Sequence, residues 1–168
     1  MEPGETGLTG RSRARLPGTV SDIRITQVDG EAALLDWQFV HNLIIPTAPL
    51  SLDEVRERAG RNRLDVAYRG DELVGCMTVR PPADDPATAT VIARVLPEHR
   101  GQGIGARLYA RGLEAARALG ATVIETVVLA SNPEGLRFAL AQGFVEFDRY
   151  VLPGDTIAFV DLRLAPRD

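Results

Sequence analysis

Apolar and polar positions change period several times along the 168 residues, and each change marks an element. Ile23-x-Ile25 followed by Val28 predicts a first strand that ends at Asp29-Gly30. From Glu31 to about Ile44, residues Ala33, Leu34, Trp37, Phe39, Val40 and Leu43 recur at helical spacing, which predicts an amphipathic helix. It runs into Ile45-Pro46-Thr47-Ala48-Pro49-Leu50, an apolar loop stiffened by two prolines. Ser51-Leu52-Asp53-Glu54 fits a capping box, so a second helix starts there and stops near Gly60. Leu64-x-Val66-x-Tyr68 and the run Leu73 to Val79 predict a hairpin turning at Arg69-Gly70-Asp71-Glu72. Pro81-Pro82-Ala83-Asp84-Asp85-Pro86 should break the chain, and Thr88 to Leu96 reads as the next strand.

The second half is more regular. From about Gly103, residues Ile104, Leu108, Tyr109, Leu113, Ala116 and Leu119 form a broad apolar helical face that ends at the C-cap glycine Gly120. Ala121 to Leu129 is a strand, and Pro133 to Gln142 a helix with Asn132 placed to cap it. Phe144 to Leu152 and Ile157 to Leu164 read as a closing antiparallel pair. A strand–helix–strand unit of this length is a crossover, so the strands ending at 96 and 129 should be parallel. Nothing repeats. One domain is expected over 21–166, preceded by a flexible arm, 1–20, rich in Gly, Pro, Thr and Arg.

Composition narrows the classes of function. The net charge of −4 gives no general nucleic-acid footprint and mildly favours cationic acceptors. All 19 basic residues are arginine, so the chain has no lysine side chain of its own to acylate. The lone Cys76 lies in a strand-like run, where a buried inert thiol is expected, and a single cysteine suits a cytoplasmic protein. No apolar stretch is long enough to span a membrane, and the first residues lack the apolar core of a secretion signal, so no membrane association is expected. No metal site is expected either.

The chemistry concentrates in Val95-Leu96-Pro97-Glu98-His99-Arg100-Gly101-Gln102-Gly103-Ile104-Gly105-Ala106. A strand ends, glycine stands at 101, 103 and 105, and a helix begins. A helix start leaves backbone N–H groups unpaired at the positive end of its dipole, and glycines let a phosphate approach them. A P-loop would need Gly-Lys-Ser/Thr, but Gly105 is followed by Ala106-Arg107. A dinucleotide loop would read G-x-G-x-x-G, and the acidic residue about 20 positions on, Glu125, sits inside a strand and not at its end. A phosphate-bearing ligand at a strand-to-helix turn is what the residues themselves indicate.

The spacing Arg100-x-x-Gly103-x-Gly105, entered from Val95-x-Pro97, resembles the pyrophosphate loop of the GNAT superfamily of acyl-CoA-dependent N-acetyltransferases. Ser131-Asn132-Pro133 and Gln142-Gly143-Phe144 resemble that family's later segments, in the right order. The resemblance implies an α/β (α+β) fold: a mixed, mostly antiparallel sheet of six to seven strands with a central parallel pair, flanked by about four helices. It implies acetyl-CoA as the donor and direct attack by a primary amine, on a small molecule or a protein N-terminus, and is compatible with a homodimer. Residue by residue, backbone groups of Val95 and Leu96 would bond the pantetheine arm and offer N–H groups to the thioester oxygen. Arg100, Gly101, Gln102, Gly103, Ile104, Gly105 and Ala106 would hold the pyrophosphate, and Asn132 would contact the cofactor near its thiol. Trp37, His41, Pro46 and Leu50 become candidates for the acceptor pocket.

One position departs from the family. Where many members carry a tyrosine able to protonate the leaving thiolate, four residues before Gly143, this chain has Ala139. Tyr150 and Tyr109 are the candidates to replace it. A thiolate, with a pKa of about 8.5, can leave without an acid. Glu125, one carboxylate in an apolar strand, is the leading candidate base, ahead of His41, Asp36 and Asp148, and His99 is expected to be exposed. Ala139 also motivates an alternative: an acyl-CoA-binding regulatory module without turnover.

Overall fold

The computed structural model describes residues 22–166, so the arm at 1–20 lies outside the described residues. Seven strands and four helices follow one another as β1 (Ile23–Gln27), α1 (Glu31–Ile44), α2 (Leu52–Arg61), β2 (Arg63–Arg69), β3 (Glu72–Ala83) and β4 (Thr88–Val95), then α3 (Ile104–Ala118), β5 (Val123–Leu129), α4 (Pro133–Ala141), β6 (Phe144–Tyr150) and β7 (Phe159–Leu164). The strands form one sheet in the order β1-β2-β3-β4-β5-β7-β6. All neighbours are antiparallel except β4 and β5, which α3 joins as a parallel crossover.

Alternation sends the apolar residues of each central strand to two cores. On one face Met77, Val79 and Val91 pack with Ile104, Leu108, Tyr109, Ala139 and Phe144 under α3 and α4. On the other, Val66, Cys76 and Leu96 meet Trp37, Val40 and Val55 from α1 and α2. Full burial of side chains of this size contributes roughly 1.5–3 kcal/mol each. Gly112 lets α3 sit close to the sheet, because a Cβ there would stand 2.4 Å from Val91 and 2.7 Å from Met77.

Local chemistry sets most ends. Ser51 Oγ accepts from the amide of Glu54 at 3.2 Å while Glu54 Oε1 accepts from the amide of Ser51 at 3.3 Å, the expected capping box. Asn132 caps α4, its side-chain oxygen accepting from the amide of Gly135 at 3.0 Å. Gly120, at φ 98°, follows the end of α3. One expected break is misplaced: β3 continues through Pro81-Pro82 to Ala83. Its register passes from Arg80↔Thr90 to Ala83↔Thr88, so both prolines fall in an irregularity where the ladder needs no N–H.

Candidate functional site

After β4 the chain makes a single 3-10 turn, Pro97–His99, and reaches two left-handed glycines, Gly101 at φ 75° and Gly103 at φ 81°, before α3 starts. Gly103 is the N-cap and supplies no side chain, and the first turn of α3 holds no acidic residue. Its amides are therefore left to an outside acceptor. A Cβ on Gly101 would meet nothing within 4 Å, so the loop lies beside open space. That space is a cavity of about 420 Å³ lined by Val95, Arg100, Gly101, Gly103, Gly105 and Asn132, among others. Ile104 also lines it, while Gln102 turns away and accepts a hydrogen bond from the Arg69 guanidinium.

The cavity exists because the parallel pair separates. β4 and β5 are paired only from Thr88↔Val123 to Thr90↔Glu125, and the later residues of both strands have no partner across the gap. A second groove, about 240 Å³, opens on the α1 side of this gap and shares Ile44, Arg100 and Asn132 with the first. A ligand laid along the unpaired edge of β4 would reach both faces of the sheet.

Besides Gln102, two residues expected to touch such a ligand are engaged otherwise. The Leu96 amide donates to the Val74 carbonyl at 2.9 Å, because alternation turns it toward β3, so it is not available in the gap. The amides of Val95 and Ala93 face the gap by the same alternation. Arg100 Nε donates to the Val95 carbonyl at 3.0 Å and its Nη1 lies 3.3 Å from Glu134, which braces the loop against β4 and α4. Two further arginines stand at the cavity wall, Arg94 of β4 and Arg137 of α4.

The acceptor-side candidates divide. Pro46 lines the second groove. Trp37 and Leu50 are in the core under α1 and α2 and line neither cavity: the apolar stripe of α1 turns Trp37 inward, and Asn42 of α1 ties the loop backbone at Leu50, its side chain accepting from the Leu50 amide at 2.9 Å. His41 is buried, stacks on Trp37 and bonds Asn42 at 3.1 Å; burial and the nearby Arg94 charge lower its pKa to about 4. Glu125 does not stand alone in an apolar strand: Arg163 from β7 holds its carboxylate at 2.8 Å. Asp36 accepts from the Tyr68 hydroxyl at 2.6 Å, well away from the gap. Tyr150 is exposed and donates to Asp161 at 3.4 Å.

The family model described as Acetyltransferase (GNAT) family matches residues 32–144, two thirds of the chain and the whole of the loop and gap. The chain belongs to this family. Its reaction class is accordingly acetyl transfer from acetyl-CoA. Solved structures with the same fold include yncA from Salmonella typhimurium, solved with its cofactor acetyl-CoA (18% identity, 85% of this chain and 93% of that one, TM-score 0.69). Others are a ribosomal-protein-alanine N-acetyltransferase from Brucella melitensis (22%, 83% and 98%, 0.65) and the spermidine/spermine N-acetyltransferase SpeG from Vibrio cholerae in complex with manganese ions (20%, 86% and 92%, 0.63). At these identities they share the fold. No curated protein matches the sequence.

The acetyltransferase also carries groups that no local pattern marked. Asp161 of β7 lies beside Val127 of β5 and opposite Asp148 of β6. Burial, and the like charges of Asp148 and Glu125, raise its pKa from the ordinary value against the lowering effects of the Tyr150 hydrogen bond and the Arg80 charge. The tyrosine is raised as well, by burial and by Asp161. His99, expected to be exposed, is buried, with Nε2 3.1 Å from Glu72, because the 3-10 turn folds it back against β3. Cys76 is fully buried and its thiol is pushed up to about 12, so it is no nucleophile. Ala139 is core, packed at the interface of α4 with the sheet.

Proposed function

We propose that this cytoplasmic acetyltransferase passes the acetyl group to a primary amine by direct attack, with the donor's pyrophosphate at the start of α3. The observation that carries the reading is the uncapped, acid-free first turn of α3 behind two left-handed glycines, opening on a cavity continuous with the β4–β5 gap. Such a turn suits a diphosphate: several N–H donors converge and no carboxylate opposes it. Gly101, Gly103, Gly105 and the following amides through Ala106 would hold the phosphates, with Arg137 adding charge. The amides of Ala93 and Val95 would bond the pantetheine arm, and Asn132 would meet its thiol end.

Acetyl-CoA, when bound, supplies the activated thioester. The chain's own part is to orient it and to take the amine's proton. Asp161 suits that second task better than Glu125, because an ion pair occupies Glu125 while Asp161, among the described residues, forms no ion pair and accepts from a tyrosine hydroxyl. A cytoplasmic location accords with one buried thiol and with the lack, among the described residues, of a helix able to cross a membrane.

The test is thiol release from acetyl-CoA across a panel of amines, beside calorimetric titration with CoA. Release that depends on an amine is expected. Tight CoA binding with no release, or release that needs no amine, would overturn the transferase reading in favour of a binding module.

A further inference from the structure

The face of the sheet opposite α3 and α4 is charged in a divided way. Helices α1 and α2 pack there on β2, β3 and β4. Cross-strand pairing puts Arg80 of β3, Thr90 of β4, Glu125 of β5 and Arg163 of β7 in one row on this face. Arg94 is on the same face, opposite Cys76, and lines the donor cavity at the gap. Arg58 approaches from α2.

The arginines on the β3–β4 side lack acids. Among the described residues no carboxylate forms an ion pair with Arg58, Arg80 or Arg94, although Glu54 and Glu57 share the helix of Arg58. They crowd one another enough that burial and mutual repulsion lower the pKa of both Arg58 and Arg94. Across the gap the balance reverses. Asp161 faces Asp148 and Glu125, and of these three only Glu125 has an arginine, Arg163, at ion-pair distance, while Arg80 is close enough to act on Asp161 and Tyr150 without pairing with either. A half-buried cation without an anion is costly, and a neighbouring like charge makes it more so. A ligand that brings an anion to one side and an ammonium to the other relieves both.

We infer, resting on the acetyl-transfer reading, that the acceptor is a zwitterion whose own acid group, a carboxylate or phosphonate, is held by Arg80 and Arg94 while its amine faces Asp161 and Tyr150. In the transfer, the ammonium first gives a proton to Asp161. The amine nitrogen then forms its bond to the thioester carbonyl carbon, the C–S bond breaks, and CoA leaves as thiolate. The proton lost from nitrogen as the amide forms passes to water. Arg80 and Arg94 touch the acceptor away from the reacting atoms and set specificity.

The experiment compares kcat/KM by thiol release for the common L-amino acids, each against its decarboxylated amine, and for alanine, 1-aminoethylphosphonate and ethylamine on one skeleton. Acid-bearing acceptors should exceed their matched amines by at least about 30-fold, the size of one charge-assisted contact. The alanine and phosphonate arms tell which acid is read. Arg80→Gln, an exposed position, should lower kcat/KM on the favoured acid about 10- to 100-fold more than on its matched amine. Arg94→Gln, at a residue that also lines the donor cavity, should separate the pair in the same direction at saturating acetyl-CoA if its unfolding midpoint is retained. Equal rates within pairs, an Arg80→Gln effect of equal size on both members, or turnover of none of them while CoA binds would overturn the inference. Failure to bind CoA at all would overturn the acetyl-transfer reading beneath it.

Discussion

Replacing Gly103 by Asn and by Asp separates shape from charge at the start of α3. The two side chains have nearly the same size, and both tolerate the left-handed conformation that Gly103 adopts at φ 81° better than other residues do. Each variant therefore carries a similar backbone strain of about 1 kcal/mol, visible as a lowered unfolding midpoint. They differ by one negative charge at the edge of the phosphate cavity. For a carboxylate ~5 Å from one phosphate charge at an effective dielectric of about 20, the repulsion is ~3 kcal/mol. That is about a 100-fold gap in affinity, since each ~1.4 kcal/mol is tenfold. In the free protein the sign reverses, because an anion at a helix N-terminus is favourable by roughly 0.3–1 kcal/mol. Gly103→Asp should thus be at least as stable as Gly103→Asn and bind CoA about 100-fold more weakly, by calorimetry at low salt. The gap should shrink as salt screens the partly exposed site. Equal affinities for the two variants would refute the placement of the diphosphate at this turn.

Three further outcomes follow from the charged residues. Asp161→Asn should lower kcat about 100-fold or more, as loss of a general base does, yet raise the melting temperature at pH 7 slightly. A carboxyl whose folded pKa is raised destabilises the fold fully above that pKa and ceases to do so as pH falls through it, so removing the charge helps at neutral pH. A purely structural Asp161 would lose activity and stability together. His41, with a folded pKa of about 4 against 6.5, keeps its stabilising contribution above pH 6.5 and loses it as pH falls toward 4. The loss is of order 3 kcal/mol, at 1.36 kcal/mol per unit, and His41→Asn should flatten urea-unfolding stability over that window. Asp65 is fully buried between Arg63 at 3.0 Å and Arg111 at 2.8 Å. Asp65→Ala should cost about 3 kcal/mol in chemical denaturation with CoA affinity intact, and a loss near zero would mean the arginines turn to water without penalty.

The donor half of the site is legible in the sequence because it is local. A turn with three glycines, a proline entry and a helix start occupies twelve consecutive residues, and the binding we propose is by backbone amides, so spacing alone encodes the geometry. Helix ends at Ser51 and Asn132 are legible for the same reason. What escapes depends on contacts distant in sequence. The Leu96 amide is withdrawn by Val74, 22 residues earlier, and Glu125 is paired by Arg163, 38 residues later. Asp161 gains its character from Asp148, Glu125 and Tyr150, which only the β5-β7-β6 order brings together. Trp37 suits an acceptor pocket as an aromatic residue, but the same apolar spacing that predicts α1 already places it on the buried face.

The alanine at position 139 changes what the leaving group requires. Position 139 is closed by the core, and the tyrosine nearest in kind, Tyr109, is 3% exposed with its hydroxyl bonded to Thr126 at 2.8 Å. Burial pushes Tyr109 up to about 12. Proton transfer from such a phenol to a thiolate of pKa about 8.5 runs uphill by ~5 kcal/mol, at 1.36 kcal/mol per unit. Tyr109 therefore offers the thiolate no useful proton, and we expect CoA to depart as the thiolate. The consequence is measurable. Tyr109→Phe strands the buried Thr126 hydroxyl and should cost about 1–3 kcal/mol of stability. Turnover should stay within a few-fold of the wild type, and acyl donors whose leaving thiols have higher pKa should slow the wild type and the variant alike. If Tyr109→Phe, with its fold intact, instead turned over at least about 100-fold more slowly, the loss expected when a general acid is removed, Tyr109 would be the acid after all.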